Sequence, residues 1–212
     1  MSQTGKITIW GRHTSSNVQK VLWAADELGL GYDRVDVGGK FGGNDAPEYR
    51  AMNPNGLIPV LRDTDGSIHW ESNSVLRYLG SRYGNNGTLW PADPGQRSLS
   101  DRWMDWATSL IGEPMRILFW GLVRDPAGAD LNAMTRAEEQ AAAYWARLDA
   151  HLASQPFVAG DHLTLGDIPA ACQLHRWMVF PVTRPALPHL EAWYARLQQR
   201  PGYRTHVMIP QG

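Results

Sequence analysis

One cysteine, Cys172, occurs in 212 residues. That count rules out an internal disulfide and suits a reducing compartment, so a cytoplasmic location is expected. Net charge is nearly absent, formally -1 from 20 Lys and Arg against 21 Asp and Glu. No bulk field is there to hold nucleic acid or an anionic membrane, and neither partner is expected. No apolar run approaches the length of a membrane span, and Met1–Trp10 lacks the basic-then-apolar layout of a signal peptide. The seven histidines are scattered, with no His-Xaa-Xaa-Xaa-His spacing, so no metal site is expected. Repeats and low-complexity segments are missing too. What remains is a globular chain long enough for one large domain or two small ones. Its ten tryptophans are a high count; such side chains bury area and line apolar clefts.

The chain opens with an alternating run, Lys6-Ile7-Thr8-Ile9-Trp10, read as a strand. Ser15 or Ser16 can cap the helix that follows, where Val18, Val21, Leu22, Ala25 and Leu28 share one face. Gly29 supplies a left-handed stop, and Tyr32–Val37 alternates as a second strand. Strand, helix, strand at this spacing predicts a right-handed crossover with parallel strands. Gly38-Gly39-Lys40-Phe41-Gly42-Gly43 reads as a flexible loop with Lys40 free to reach an anion; it lacks the ending of a phosphate-binding loop. Leu57–Arg62 and Ser67–Trp70 form a hairpin turned at Asp65-Gly66, and Ser72–Tyr83 is a helix.

Past the loop-forming stretch from Asn85 to Gly95 the pattern becomes helical throughout. Gln96 to Trp120 is one long aromatic-rich stretch that Pro114 should kink or break. Further helices are expected from Met134 or Thr135 to His151, from a capping-box-like Thr164-Leu165-Gly166-Asp167, and over Leu187–Gln199. Pro169 fits poorly inside the second turn of the capping-box helix. Cys172 lies on an apolar background and reads as packed. The division is therefore residues 1–84, a linker over 85–95, and a helical unit over 96–212.

Asn53-Pro54-Asn55-Gly56-Leu57-Ile58-Pro59-Val60-Leu61, then a hairpin, then Glu71-Ser72-Asn73 at a helix start, resembles the glutathione-binding half of a cytosolic glutathione transferase. The resemblance extends along nearly the whole chain, since a thioredoxin-like α/β first domain followed by an all-α second domain is that family's layout. Ser15-Ser16-Asn17-Val18-Gln19-Lys20-Val21 resembles the serine-type branch, theta- and zeta-like, whose first serine donates to the glutathione sulfur. Aligned so, Ser15 is the donor; sliding by one residue gives Ser16. The same run resembles bacterial disulfide-reductase relatives (nu-like) in which Asn17 would contact sulfur.

The resemblance implies further roles. A main-chain pairing at Ile58 beside a cis Pro59 would hold the cysteinyl unit of glutathione. Ser72 and Asn73 would take the γ-glutamyl carboxylate at a helix N-terminus, and Glu71 the amine. Asp101, in Ser100-Asp101-Arg102-Trp103, would reach that amine in the partner of a homodimer, with Arg102 as an alternative contact. Leu57 stands where the family often has a basic residue, so Lys40 is the candidate for the glycine carboxylate. Trp106, Met115, Phe119, Trp120, Trp177 and Phe180 are candidates for an apolar co-substrate cleft. The implied reaction is attack of the glutathione thiolate on a small apolar electrophile, with glutathione as co-substrate and no metal. A glutathione-dependent disulfide reductase and a non-catalytic glutathione-binding module are the alternatives. A zeta-like isomerase would need basic residues around the cleft, for which Arg12 and Lys20 are the nearby candidates.

Overall fold

Ile7 and Ile9 are buried while Trp10 is half-exposed, the two-residue period of strand β1 (Ile7–Trp10). The computed structural model describes residues 6–84 and 87–211; residues 1–5, the linker residues Asn85-Asn86 and Gly212 lie outside the described residues. Helix α1 (Ser16–Glu27) follows β1 and returns the chain to β2 (Tyr32–Val35), which pairs parallel to β1 with Ile7 opposite Tyr32. The stop after α1 is the expected one: Gly29 has φ 66° and the Leu30 N–H bonds back to Ala25 O at 2.9 Å.

A short helix, α2 (Pro47–Met52), precedes β3 (Val60–Arg62), β4 (Ile68–Trp70) and α3 (Ser72–Tyr83). The sheet order is β2-β1-β3-β4, with β3 antiparallel to both neighbours. This is a thioredoxin-like domain with a mixed sheet. Among the described residues six α-helices follow: α4 (Pro94–Trp106), α5 (Gly112–Phe119, continued by a π-helical turn over Trp120–Arg124), α6 (Leu131–Leu152), α7 (Asp167–Val179), α8 (Pro188–Leu197) and α9 (Pro201–His206).

Helix α1 holds the two halves together. It packs on α3 on one side and on α7 and α9 on the other. Trp23 of α1 meets Tyr203 of α9 edge to face, ring centroids 4.9 Å apart, and neither side chain is exposed. Burying each such ring contributes about 1.5–3 kcal/mol, so one apolar cluster runs through both halves.

Several expectations change. The loop at residues 38–43 contains a 3₁₀ turn (Gly39–Phe41) closed by Gly38 N–H to Gly42 O at 2.7 Å; glycines at positive φ let the chain fold back on itself. Helix α4 starts inside the expected linker, because Asp93 accepts from the Gln96 N–H and Pro94 suits the first helical position. The break before Pro114 is a wide π-helical turn at Ala107–Ile111, which accommodates a residue that has no N–H to give to Leu110. Asp130 caps α6 through the Ala133 N–H and starts it earlier than expected. Helix α7 begins only at Asp167, which puts Pro169 in the first turn, where a missing N–H costs nothing. Pro201-Gly202 opens α9 instead of only ending α8.

Candidate functional site

The positive end of α1 faces the gap between the two halves. Ser15 is its N-cap, with φ -79° and ψ 122°, and the hydroxyl makes no capping bond. Ser15 is nearly buried, whereas Ser16 and Asn17 line a cavity of about 220 Å³ together with Lys20, Phe119 and Arg176. A helix N-terminus favours an anion within its first turn by about 0.3–1 kcal/mol, and more when partly buried.

Beside this end lies the turn into β3. The Ile58–Pro59 bond is cis. Among the described residues the Ile58 main chain forms no hydrogen bond. Two glycines give the Ile58 side chain its seat: a Cβ on Gly11 would come within 3.4 Å of it, and one on Gly38 within 3.2 Å. The preceding carbonyl, Leu57 O, accepts from Tyr49 Oη at 2.8 Å and Asn53 Nδ2 at 2.9 Å. Helix α2 supplies that tyrosine and so fixes the turn. Leu57 and Lys40 are both exposed, and the Lys40 ammonium sits 5.3 Å from the Phe41 ring centroid.

Across the gap, Glu71, Ser72 and Asn73 open α3 on a second cavity of about 550 Å³, which shares Asn17, Lys20 and Thr108 with the first. Glu71 has φ 66° and ψ 108°, a conformation a side-chain-bearing residue rarely adopts. Lys20 binds the two helix starts together: its Nζ donates to Asn17 Oδ1 at 2.9 Å and to Ser72 Oγ at 3.3 Å. Burial, with repulsion from Arg176 added, pushes the Lys20 ammonium down to about 8, against the pull of Cys172 and Glu71. The sequence reading gave Lys20 a place only in the isomerase alternative. The signal was there, a lysine flanked by Val18, Val21 and Leu22 on a face that must be buried.

Asn73 is committed to the second half, donating from Nδ2 to Met104 O at 2.8 Å and Thr108 Oγ1 at 2.9 Å. Asp101 accepts from Arg77 Nε of the same chain at 2.6 Å, and Asp105 accepts from the other arm of that guanidinium. Arg102 is exposed on the outer face of α4.

The six apolar-cleft candidates separate. Phe119 lines the smaller cavity. Met115, Trp177 and Phe180 are in the core, because the faces of α5 and α7 that carry them pack inward. Trp106 packs among the rings of Trp103, Tyr144 and Trp145. Trp120 is 53% exposed and borders a different depression, beside Asp130 and Met134. The walls beside Phe119 mix Ala107, Gly112 and Pro169 with basic and polar side chains, Arg116, Gln173 and Arg176. Among the described residues no group of three or more His, Cys, Asp or Glu converges as a metal site, and Cys172 is buried, its thiol raised to about 12 mainly by burial. Among the described residues no helix is long and apolar enough to cross a membrane.

Comparison with known proteins bears on this geometry. The family model for the glutathione S-transferase N-terminal domain matches residues 14–82, and that for the C-terminal domain matches residues 132–196. Glutathione S-transferase GstB of Escherichia coli (strain K12) is 40% identical over 206 residues, covering 96% of this chain and 99% of that protein. Glutathione S-transferase 3 of Zea mays is 32% identical over 213 residues, covering 96% and 95%. The crystal structure of the theta class glutathione S-transferase from Xanthomonas axonopodis pv. citri with glutathione bound superposes with a TM-score of 0.92 at 48% identity, over 97% of this chain and 99% of that one.

Proposed function

The chain belongs to the glutathione S-transferase family, and from that premise we propose that it holds glutathione along the larger cavity at the start of α3 and aims the thiolate at a small electrophile in the neighbouring smaller one. One observation carries the reading. Lys20 Nζ bonds both Asn17 at the start of α1 and Ser72 at the start of α3, so the two helix starts open side by side on the gap that Asn17, Lys20 and Thr108 line.

The γ-glutamyl carboxylate takes the N–H groups at the start of α3, with Lys20 beneath them, and Glu71 takes the amine. The cysteinyl main chain pairs with Ile58, which brings the sulfur to the start of α1. A free thiol has a pKa near 8.5 and is mostly protonated at neutral pH. The Ser15 hydroxyl and the positive helix end stabilise the anion, and each unit of lowering corresponds to about 1.4 kcal/mol. Lys40 stands nearest to the role of glycine-carboxylate contact. The disulfide-reductase alternative is not favoured by relatives named as transferases, and the Asn17 Oδ1 is taken by Lys20 and Ser72.

A homodimer in the cytoplasm belongs to the same proposal, supported by family membership and by the single buried cysteine. Calorimetric titration with glutathione, coupled to turnover of 1-chloro-2,4-dinitrobenzene, tests the core of it. Saturable heat and thioether formation are expected; no heat at millimolar glutathione removes the proposal.

A further inference from the structure

Phe119 ends α5 at the smaller cavity, and two guanidinium groups lie over its ring: Arg176 at 4.3 Å and Arg124 at 5.4 Å from the centroid. Arg176 is buried and, among the described residues, donates only to neutral acceptors, Thr14 O at 3.1 Å and Gln211 Oε1 at 2.8 Å. Arg12, from the loop between β1 and α1, is near enough to Arg124 and Arg176 for the charges to repel one another. Its Cδ would lie 3.0 Å from a Cβ placed on Gly39, and its Nε is buried with no hydrogen-bond partner among the described residues.

Among the described residues none of these three arginines forms an ion pair. The nearby Glu113 is engaged by Arg116 in a two-pronged contact. Burial above all, with mutual repulsion added, lowers both Arg12 and Arg176, the latter to about 10. Cations gathered in a partly dry site without a counter-ion are costly, and a planar guanidinium is the side chain best shaped to receive a carboxylate or sulfonate. The cavity, about 220 Å³, is small beside ordinary ligand pockets of roughly 300–1,000 Å³.

We propose that the electrophile of this transferase is itself an organic anion, a small ring or unsaturated carbon skeleton whose carboxylate or sulfonate seats among Arg12, Arg124 and Arg176 around Phe119. The inference rests on the transferase reading and replaces the expected apolar cleft with an anion-selective one. With a chloronitroarene as probe, the glutathione thiolate forms a C–S bond at the carbon bearing chlorine, the C–Cl bond breaks, chloride leaves, and the thiol proton passes to solvent.

The test compares 4-chloro-3,5-dinitrobenzoate with its neutral partner 4-chloro-3,5-dinitrobenzamide, each rate divided by the uncatalysed reaction with glutathione. The expected result is a preference of tenfold or more for the benzoate in kcat/KM. In Arg124→Gln, whose guanidinium is exposed and whose loss leaves the core intact, that preference falls five- to tenfold through KM for the benzoate. Arg176→Gln lowers it further if the variant folds. Equal handling of both probes, or no turnover of the benzoate, overturns the proposal. So does a rise in KM for glutathione with both probes in Arg124→Gln, which would assign the cluster to the tripeptide. Efficient turnover of the benzamide with no benzoate preference leaves the transferase reading standing. Absence of glutathione binding by calorimetry removes both.

Discussion

Lys20 Nζ stands 3.3 Å from Ser72 Oγ, joining the first turn of α1 to the first residue of α3 from beneath. The side chain is buried where it borders the two cavities, and burial holds its pKa down to about 8 instead of the usual value above 10. A carboxylate arriving at Ser72 would find a charged partner at pH 7 and a neutral amine at pH 9.

From this follows a pH dependence of glutathione binding that is separate from the thiol. A thioether such as S-hexylglutathione has no thiol to ionise, which leaves Lys20 and the ligand's α-amine as the groups that titrate above pH 7, and the Lys20→Met comparison separates the two. The proton on Lys20 is present below about pH 8 and lost above it, so affinity should weaken as pH rises through 8–9. Lys20→Met should bind about tenfold more weakly at pH 7, in line with a lost charged hydrogen bond of about 1.5–3 kcal/mol, and should lack the Lys20 step. Titration calorimetry of both proteins from pH 6.5 to 9.5 checks it; parallel profiles would refute the assignment.

The two serines before Asn17 have different settings. Ser15 is the N-cap with a hydroxyl free of capping duty, and Ser16 faces the smaller cavity. With Ser15 as the sulfur donor, Ser15→Ala should lower kcat/KM about 10²–10³-fold, the usual cost of losing one donor to a developing anion. The ultraviolet thiolate absorbance of bound glutathione should then titrate at higher pH. Ser16→Ala should change kcat/KM less than about fivefold. A reversed order would move the role to Ser16.

Much of the proposed site rests on signals that are local in the sequence. Asn53 to Leu61 carries its turn and proline in a single run, and Glu71-Ser72 marks a helix start by residue type alone. The arginine cluster was out of reach for the opposite reason. Arg12, Arg124 and Arg176 lie 112 and 52 residues apart along the chain, and nothing in their neighbours announces that the fold will bring Arg124 and Arg176 over one ring with Arg12 close to both. The apolar-cleft candidates show the same limit. Aromatic residues on amphipathic helices are read correctly as buried or half-buried, but burial against the core and burial against a ligand look alike until the faces are assigned. Short α2 and α9 escaped because six residues carry less than two turns of period.

Glu71 adopts φ 66°, where a side chain costs roughly 1–3 kcal/mol unless its surroundings compensate. Glycine relieves that cost, so Glu71→Gly should raise the melting temperature or leave it level while weakening glutathione binding at least tenfold. Glu71→Ala loses the same carboxylate without gaining backbone freedom, and its melting temperature should fall below that of the glycine variant. Thermal unfolding of the pair, with glutathione titrations alongside, separates strain from contact. A glycine variant less stable than the alanine one would show that the strain is already offset.

Asp167 is a stability element that lines neither cavity of the site. Its carboxylate is buried and accepts from Val158 N–H at 3.0 Å, Thr164 N–H at 2.8 Å, Thr164 Oγ1 at 3.1 Å and Trp193 Nε1 at 3.1 Å. Burial nonetheless outweighs these donors and raises its pKa to about 6, against an unfolded value near 3.8. Between those two values the folded protein holds a proton that the unfolded chain has released. The contribution of this group is therefore fully present below about pH 4 and declines as pH rises through 6. Asp167→Asn has no proton to exchange, so the stability of the wild type relative to it should improve by about 1–2 kcal/mol on going from pH 7 to pH 5. Asp167→Ala strands all four donors and should cost about 3–5 kcal/mol at pH 7, the range for breaking a buried charged network. Urea unfolding of the three proteins at both pH values measures these differences. A wild-type advantage that grows toward pH 7 would mean that the four donors, not burial, set the proton affinity of Asp167.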